Sequence, residues 1–213
     1  MKEERITFKS GSGELTLEGM IALPDGAGPH RAAVVCHPHP LYGGSMHNNV
    51  VDAVLEALHA SGFATLRFNF RGVGQSEGEF DNGMGEAADA VAAVRFLTTH
   101  KGVGDAGAVL AGYSFGAATA VRAAGGVEEV AAIVTVALPL GMIDPTALGA
   151  IAKPIVLLAG DRDSYCPAND LAALAGRLGP LARLKLIPGA DHFFGGREPE
   201  IVAALGEALA TLQ

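Results

Sequence analysis

Residues 108–121 read AVLAGYSFGAATAV, and this stretch decides the fold. The apolar residues that open it predict a buried strand, and the small residues that close it predict a helix that follows at once. Between them stands Gly-x-Ser-x-Gly, residues 112–116, with Ser114 at the tip of a sharp strand-to-helix turn. Such a turn needs glycine on both sides of the serine, because side chains there would collide. The helix that follows directs its first N–H groups at any negative charge that forms beside Ser114.

Acidic and imidazole side chains follow two later strand-like runs. Asp161 and Asp163 come just after residues 155–158, and His192 comes soon after residues 184–187. A serine hydroxyl is a weak nucleophile until a base takes its proton. The order serine, acid, histidine, each just past a strand, therefore predicts Ser114 as nucleophile and His192 as base.

In these features the sequence resembles the α/β-hydrolase superfamily over nearly its whole length. The stretches HPHPLYGG (37–44) and RFNFRGVGQS (67–76) resemble, more narrowly, small bacterial hydrolases related to the dienelactone-hydrolase-like and prolyl-oligopeptidase-like branches. This resemblance implies a three-layer α/β-hydrolase fold, with a mostly parallel sheet, helices on both faces and no large cap domain. The alternation of predicted strands and helices indicates the same layered sheet, and the length of 213 residues suits a single domain over 1–213.

The acid that orients the base is Asp163 or Asp161. The family pattern is Gly-x-x-Asp with a proline four residues later, and residues 160–167 fit it when the acid is Asp163. Asp163 is therefore our prediction, and Asp161 is then a turn residue or an ion partner of Arg162. Asp144 and Asp191 are weaker alternatives, since neither stands at the right distance past a strand.

Two backbone N–H groups are needed to stabilise the oxyanion of an acyl transfer. One is expected from Phe115, the residue after the nucleophile. The other is expected from the loop at 37–44, where the two prolines lack an N–H. His39, Leu41 and Tyr42 remain, and Leu41 is our prediction. The loop departs from the commoner His-Gly-x sequence, which leaves the other two open.

Composition excludes several classes of function. The net charge is −8 and no Lys/Arg cluster occurs, which argues against a nucleic-acid partner. The charged N-terminus and the lack of an apolar run of about 18 residues predict neither a signal peptide nor a membrane span. Two cysteines indicate no disulfide framework and favour the cytoplasm. His37 and His39 share a strand face, but without a third ligand at matching spacing no metal is predicted.

The remaining elements follow from apolar periodicity. We expect an edge hairpin over 4–23, a helix capped by Ser45, a strand over 63–70 and a half-exposed strand near an edge over 182–187. The connector at 138–152 is too short for a multi-helix lid, although one short helix fits near 146–151.

Together these features predict a serine carboxylesterase that acts on small, short-chain esters without a cofactor. A thioesterase or a peptidase with the same triad is the nearest alternative, since the fold does not separate them. A non-catalytic binding module on a hydrolase fold is the alternative of another class, and the intact Ser–Asp–His order argues against it. The sequence leaves the oligomeric state open.

Overall fold

The backbone is organised around one eight-stranded, mostly parallel sheet. A computed structural model describes residues 2–143, 148, 149 and 151–212. The strand order across the sheet is β1-β2-β4-β3-β5-β6-β7-β8, in which β1–β2 and β2–β4 are antiparallel and the other pairs are parallel. The strands are β1 (Lys2–Lys9), β2 (Thr16–Leu23), β3 (His30–Cys36), β4 (Phe63–Phe68), β5 (Val103–Tyr113), β6 (Val130–Val136), β7 (Ile155–Gly160) and β8 (Ala182–Ile187).

Helices cover both faces of this sheet. They are α1 (Asn49–Ala60), α2 (Met84–Thr98), α3 (Phe115–Ala124), α4 (Ala168–Leu178) and α5 (Glu198–Leu209). Successive side chains of a strand point to opposite faces, so Val34 packs in the layer beneath α2, α3 and α4 while Val35 packs beneath α1 and α5. Burial on both faces explains why the central strands are continuous apolar runs. The predicted three-layer α/β-hydrolase fold is confirmed.

The edges of the sheet agree with the sequence, whereas two element boundaries do not. The hairpin β1–β2 lies at one edge, and the partly exposed β8 lies at the other. Helix α1 is capped by Asn48, whose side chain accepts from the N–H of Val50 at 2.9 Å. Ser45 instead accepts from the N–H of His47, three residues earlier, so the Ser45 prediction is wrong.

Strand β4 ends at Phe68 rather than at residue 70. The N–H of Asn69 still donates to the carbonyl of Glu18 in β2 at 3.0 Å, whereas the next N–H, that of Phe70, donates to His37 Nε2 instead. The buried side chain of Asn69 accepts from the N–H of Met46 at 2.8 Å. Residues 146, 147 and 150 of the short helix expected near 146–151, as well as Asp144, lie outside the described residues. Within residues 2–143, 148, 149 and 151–212, no helix combines the length and the apolar character needed to cross a bilayer.

The topology brings four loops to the same end of the sheet, the end at which the parallel strands have their carboxyl termini. Strands β3, β5, β7 and β8 run in the same direction, so their carboxyl ends meet there. The loops after these strands carry the residues singled out in the sequence.

Candidate active site

Ser114 lies at a sharp turn between β5 and α3, held in a strained backbone conformation. Its φ of 53° and ψ of −119° are rare for a residue other than glycine. The two flanking glycines permit this turn through close approach. A Cβ on Gly116 would lie 2.3 Å from the carbonyl oxygen of Cys36, and one on Gly112 would lie 2.2 Å from the carbonyl oxygen of Gly116. The N–H of Ser114 donates to the carbonyl of Val136 at 2.9 Å, which fixes the turn to β6.

A chain of two hydrogen bonds links Ser114 to an acid. Ser114 Oγ lies 2.9 Å from His192 Nε2, and His192 Nδ1 lies 2.8 Å from Asp163 Oδ2. An ionised carboxylate can only accept, so Nδ1 carries the proton in the neutral ring. The lone pair of Nε2 then faces the serine hydroxyl. The structure thus brings together the three residues that the sequence selected.

Asp163 is held by more than its histidine partner. Its Oδ1 accepts from the N–H groups of Tyr165 at 2.8 Å and Cys166 at 3.0 Å, and its side chain is fully buried. These two bonds assign one oxygen to the backbone and leave the other for His192. The carboxylate therefore has a single orientation towards the imidazole.

The side chain of Tyr113 supports the main chain of His192, a role that the sequence did not predict. Its hydroxyl donates to the carbonyl of His192 at 3.0 Å. Burial, together with the charges of Asp163 and Asp191, raises the pKa of Tyr113 to about 12, which keeps this donor protonated. An aromatic residue directly before the serine was the available signal.

The two other described acids near this end of the sheet, Asp161 and Asp191, accept hydrogen bonds from nearby main-chain N–H groups. Asp161 accepts from the N–H of Gly189 at 2.6 Å, and Asp191 accepts from the N–H of Phe193 at 3.0 Å. Both are exposed. Of the acids considered in the described chain, Asp163 is the one that reaches His192.

The loop after β3 turns through a short 3₁₀ segment, Pro40–Tyr42. The N–H of Leu41 donates to His39 Nδ1 at 3.2 Å, and the N–H of Tyr42 donates to the carbonyl of His39 at 3.1 Å. Both amides are therefore engaged inside the loop. The N–H of His39 has no acceptor among the described residues. Phe115 opens α3, so its N–H is one of those that no helical carbonyl accepts.

His37 fixes the peptide group that carries the His39 amide. Its Nε2 accepts from the N–H of Phe70 at 3.1 Å, so the proton lies on Nδ1, which donates to the carbonyl of Pro38 at 2.6 Å. Burial lowers the pKa of His37 to about 4, against the opposing effect of the bond to Pro38. In a trans peptide the C=O and the next N–H point in opposite directions. Fixing the Pro38 carbonyl therefore fixes the direction of the His39 N–H.

The histidines of this loop are occupied by hydrogen bonds rather than aligned on an ion. Within residues 2–143, 148, 149 and 151–212, no group of three or more His, Cys, Asp or Glu side chains is placed to hold a metal. Burial also lowers the pKa of His39, so its ring is neutral near pH 7.

A cavity of about 440 Å³ opens above Ser114. Its lining in the described part of the chain contains no Asp, Glu, Lys or Arg. The cavity is lined by aromatic, imidazole, hydroxyl, amide and apolar side chains and by two glycines: Pro38, His39, Tyr42, Gly43, Gly44, Asn48, Tyr113, Ser114, Phe115, Pro139, Met142, Tyr165, His192 and Phe193. Such a site suits an uncharged ligand that places one reactive group at Ser114.

Comparison with known proteins agrees with this geometry. Residues 13–155 match the family described as X-Pro dipeptidyl-peptidase (S15 family), a region that includes Ser114 but neither Asp163 nor His192. An uncharacterized protein of Rickettsia prowazekii is 38% identical over 189 residues, which cover 85% of this chain and 79% of that protein.

Two solved structures are similar over almost their full length. One is an α/β serine hydrolase homologue from Coxiella burnetii, with a TM-score of 0.86, 35% identity and 98% of each chain covered. The other, from Xanthomonas campestris, is described as an α/β serine hydrolase without lid. It has a TM-score of 0.86 and 31% identity, with 99% of this chain and 95% of that chain covered.

Proposed function

The chain belongs to the X-Pro dipeptidyl-peptidase (S15) family of the α/β-hydrolase superfamily and is a hydrolase, and we propose that it is a serine carboxylesterase. Its proposed substrates are small, uncharged, short-chain carboxylic esters, which react through an acyl-enzyme on Ser114. The observation that carries this proposal is the hydrogen-bonded chain Ser114–His192–Asp163 at the floor of a cavity whose described lining has no Asp, Glu, Lys or Arg.

The proposed reaction runs in two halves on the same residues. His192 Nε2 removes the Ser114 proton as Oγ attacks the ester carbonyl, and it then gives that proton to the departing alcohol oxygen. In the second half His192 activates a water, which attacks the acyl-enzyme, and the proton returns to Ser114 as the acid leaves. Asp163 holds the ring in the reactive tautomer and stabilises its charged form during each step.

For the oxyanion we propose the N–H groups of Phe115 and His39, which replaces the sequence-based choice of Leu41. The Leu41 amide donates to His39 Nδ1, whereas the His39 amide has no acceptor in the described part of the chain. His37 supports this role by holding the Pro38 carbonyl at 2.6 Å. A donor that is already oriented needs no reorganisation as charge develops, and one such donor contributes about 10²- to 10³-fold in rate.

The cavity lining favours an uncharged ester over the peptide substrate in the family's description. An X-Pro dipeptidyl-peptidase acts two residues from a free amino terminus, and an ammonium group in a cleft calls for a carboxylate partner. None of the described lining residues is Asp or Glu. The same lining lacks Lys and Arg, which argues against acyl groups that carry a negative charge.

A substrate panel combined with active-site labelling tests the proposal. Acetyl and butyryl p-nitrophenyl esters, the matching thioesters, and an Ala-Pro p-nitroanilide are compared for kcat/KM, and a fluorophosphonate probe reports on Ser114. We expect the oxygen esters to be the best substrates and the labelling to disappear in Ser114→Ala. Labelling at Ser114 with the peptide anilide or the thioester preferred would contradict the ester assignment while leaving the nucleophile intact.

A further inference from the structure

Exposed apolar side chains are concentrated around the cavity above Ser114. Among the described residues, four of the seven exposed large hydrophobic side chains line it, with exposed fractions of 86% for Tyr42, 65% for Phe193, 58% for Tyr165 and 43% for Met142. A concave site lined mainly by apolar and aromatic side chains, with a few polar groups among them, is typical of a place where a small ligand binds.

Two of these rings lie directly against the proposed base. The Tyr165 ring centroid is 4.7 Å from that of His192, and the Phe193 ring is edge-to-face with His192 at 5.5 Å and 89°. The main chain of each is fixed by a carboxylate, because the Tyr165 N–H donates to Asp163 and the Phe193 N–H donates to Asp191. Both rings are thereby held beside the imidazole while large parts of them face solvent.

The position of the base determines which part of an ester reaches these rings. His192 Nε2 must come within hydrogen-bonding distance of the alcohol oxygen in order to protonate it. The group attached to that oxygen then lies close to His192, within reach of the Tyr165 and Phe193 rings that contact the imidazole. The carbonyl oxygen points elsewhere, towards the amides of Phe115 and His39.

We propose that Tyr165 and Phe193 bind the alcohol portion of the substrate and that the natural substrates are esters of aryl or arylmethyl alcohols. This inference rests on the proposed esterase function. An aromatic ring that packs against other aromatic rings gains edge-to-face and offset contacts beyond the burial of its area, whereas a saturated ring of similar size gains the burial alone.

The test compares benzyl acetate with cyclohexylmethyl acetate and methyl acetate. The first two share the acyl group, have ring-bearing alcohols of similar size and lack an activated leaving group. We expect benzyl acetate to exceed cyclohexylmethyl acetate in kcat/KM by about three- to tenfold, the range expected for aromatic pairing. In the double variant Tyr165→Leu/Phe193→Leu, which keeps apolar bulk but loses both rings, the ratio should fall close to one.

Tyr42→Leu is the matched control, because Tyr42 is an exposed cavity aromatic whose ring lies 4.7 Å from His39. We expect this variant to retain the wild-type ratio. A wild-type ratio near one, or a ratio unchanged in the double variant, would refute the alcohol site while methyl acetate turnover leaves the esterase proposal standing. If no acetate is hydrolysed although Ser114 accepts the fluorophosphonate, both proposals fail.

Discussion

Replacing Asp163 with asparagine should reverse the position of the proton on His192. In the native site, Asp163 Oδ1 accepts from two backbone N–H groups, and Oδ2 accepts from His192 Nδ1. An asparagine has one oxygen, and the two buried N–H donors hold it on their side, since an NH₂ group there would leave them unsatisfied. The amide NH₂ then faces His192 Nδ1 as a donor.

The neutral imidazole can pair with this donor only by accepting at Nδ1, and its proton then lies on Nε2. A protonated Nε2 no longer accepts from the Ser114 hydroxyl 2.9 Å away. The base is therefore lost while the packing of the site is kept. The corresponding change in serine proteases lowers kcat about 10⁴-fold, and we expect a loss of that order here, equivalent to about 5 kcal/mol of barrier.

The assay is kcat/KM on p-nitrophenyl acetate for folded Asp163→Asn protein, with folding checked by circular dichroism. Asp161→Asn is the matched control, because that residue is exposed and its single acceptor bond, to the N–H of Gly189, survives in asparagine. We expect the control to stay within about threefold of the wild type, as do most surface changes. Activity of Asp163→Asn within tenfold of the wild type, or an equal loss in Asp161→Asn, would refute the tautomer argument.

Three further outcomes follow from the loop after β3 and from the open cavity. His37→Asn keeps a donor near the Pro38 carbonyl and should retain kcat on p-nitrophenyl butyrate within about tenfold of the wild type. His37→Gln keeps an acceptor for the Phe70 N–H instead and should lose about 10²- to 10³-fold in kcat. Equal losses in the two variants would contradict the role given to His37. Burial lowers the pKa of His37 to about 4, so the unfolded state takes up a proton on this residue first as the pH falls below 6.5. The free energy of unfolding of the wild type should therefore drop between pH 6.5 and 4 by up to about 3 kcal/mol more than that of His37→Asn. Urea-unfolding free energies that fall in parallel for the two proteins over this pH range would contradict this. Acetyl to butyryl p-nitrophenyl esters should exceed dodecanoyl and longer ones in kcat/KM, since an open cavity gives added methylenes little of the roughly 0.8 kcal/mol that each would gain by burial. We also expect no activation when the substrate concentration passes the point of micelle formation. A maximum of kcat/KM at C12 or beyond would contradict the argument.

Much of the architecture and three site residues could be predicted because they depend on local pattern and chain order. The strand before Ser114 and the helix after it are read directly from apolar periodicity. Parallel strands bring their carboxyl ends together, so polar residues that follow such strands meet whatever the intervening loops do. This is why the structure places His192 beside Ser114 and Asp163 beside His192, as chain order had led us to expect.

The loop after β3 could not be predicted in the same way, because its conformation depends on two histidine side chains, one bonded within the loop and the other to a residue distant in sequence. His39 uses its own side chain to accept the Leu41 amide, and His37 takes its tautomer from the N–H of Phe70, 33 residues away. Neither hydrogen bond can be predicted from the spacing of residues in the sequence. The helix cap failed for a related reason, since Ser45 and Asn48 are both good capping residues and the turn between them decides which one caps α1.

The central claim is that Ser114 is the nucleophile of an acyl-enzyme. Rapid quenching of a reaction with p-nitrophenyl butyrate, followed by mass spectrometry of proteolytic peptides, measures this directly. We expect a butyryl adduct of about 70 Da on the peptide that contains Ser114, and no adduct together with a loss of about 10⁴-fold or more in kcat for folded Ser114→Ala. Full turnover by Ser114→Ala, or a butyryl group on another residue, would contradict the account.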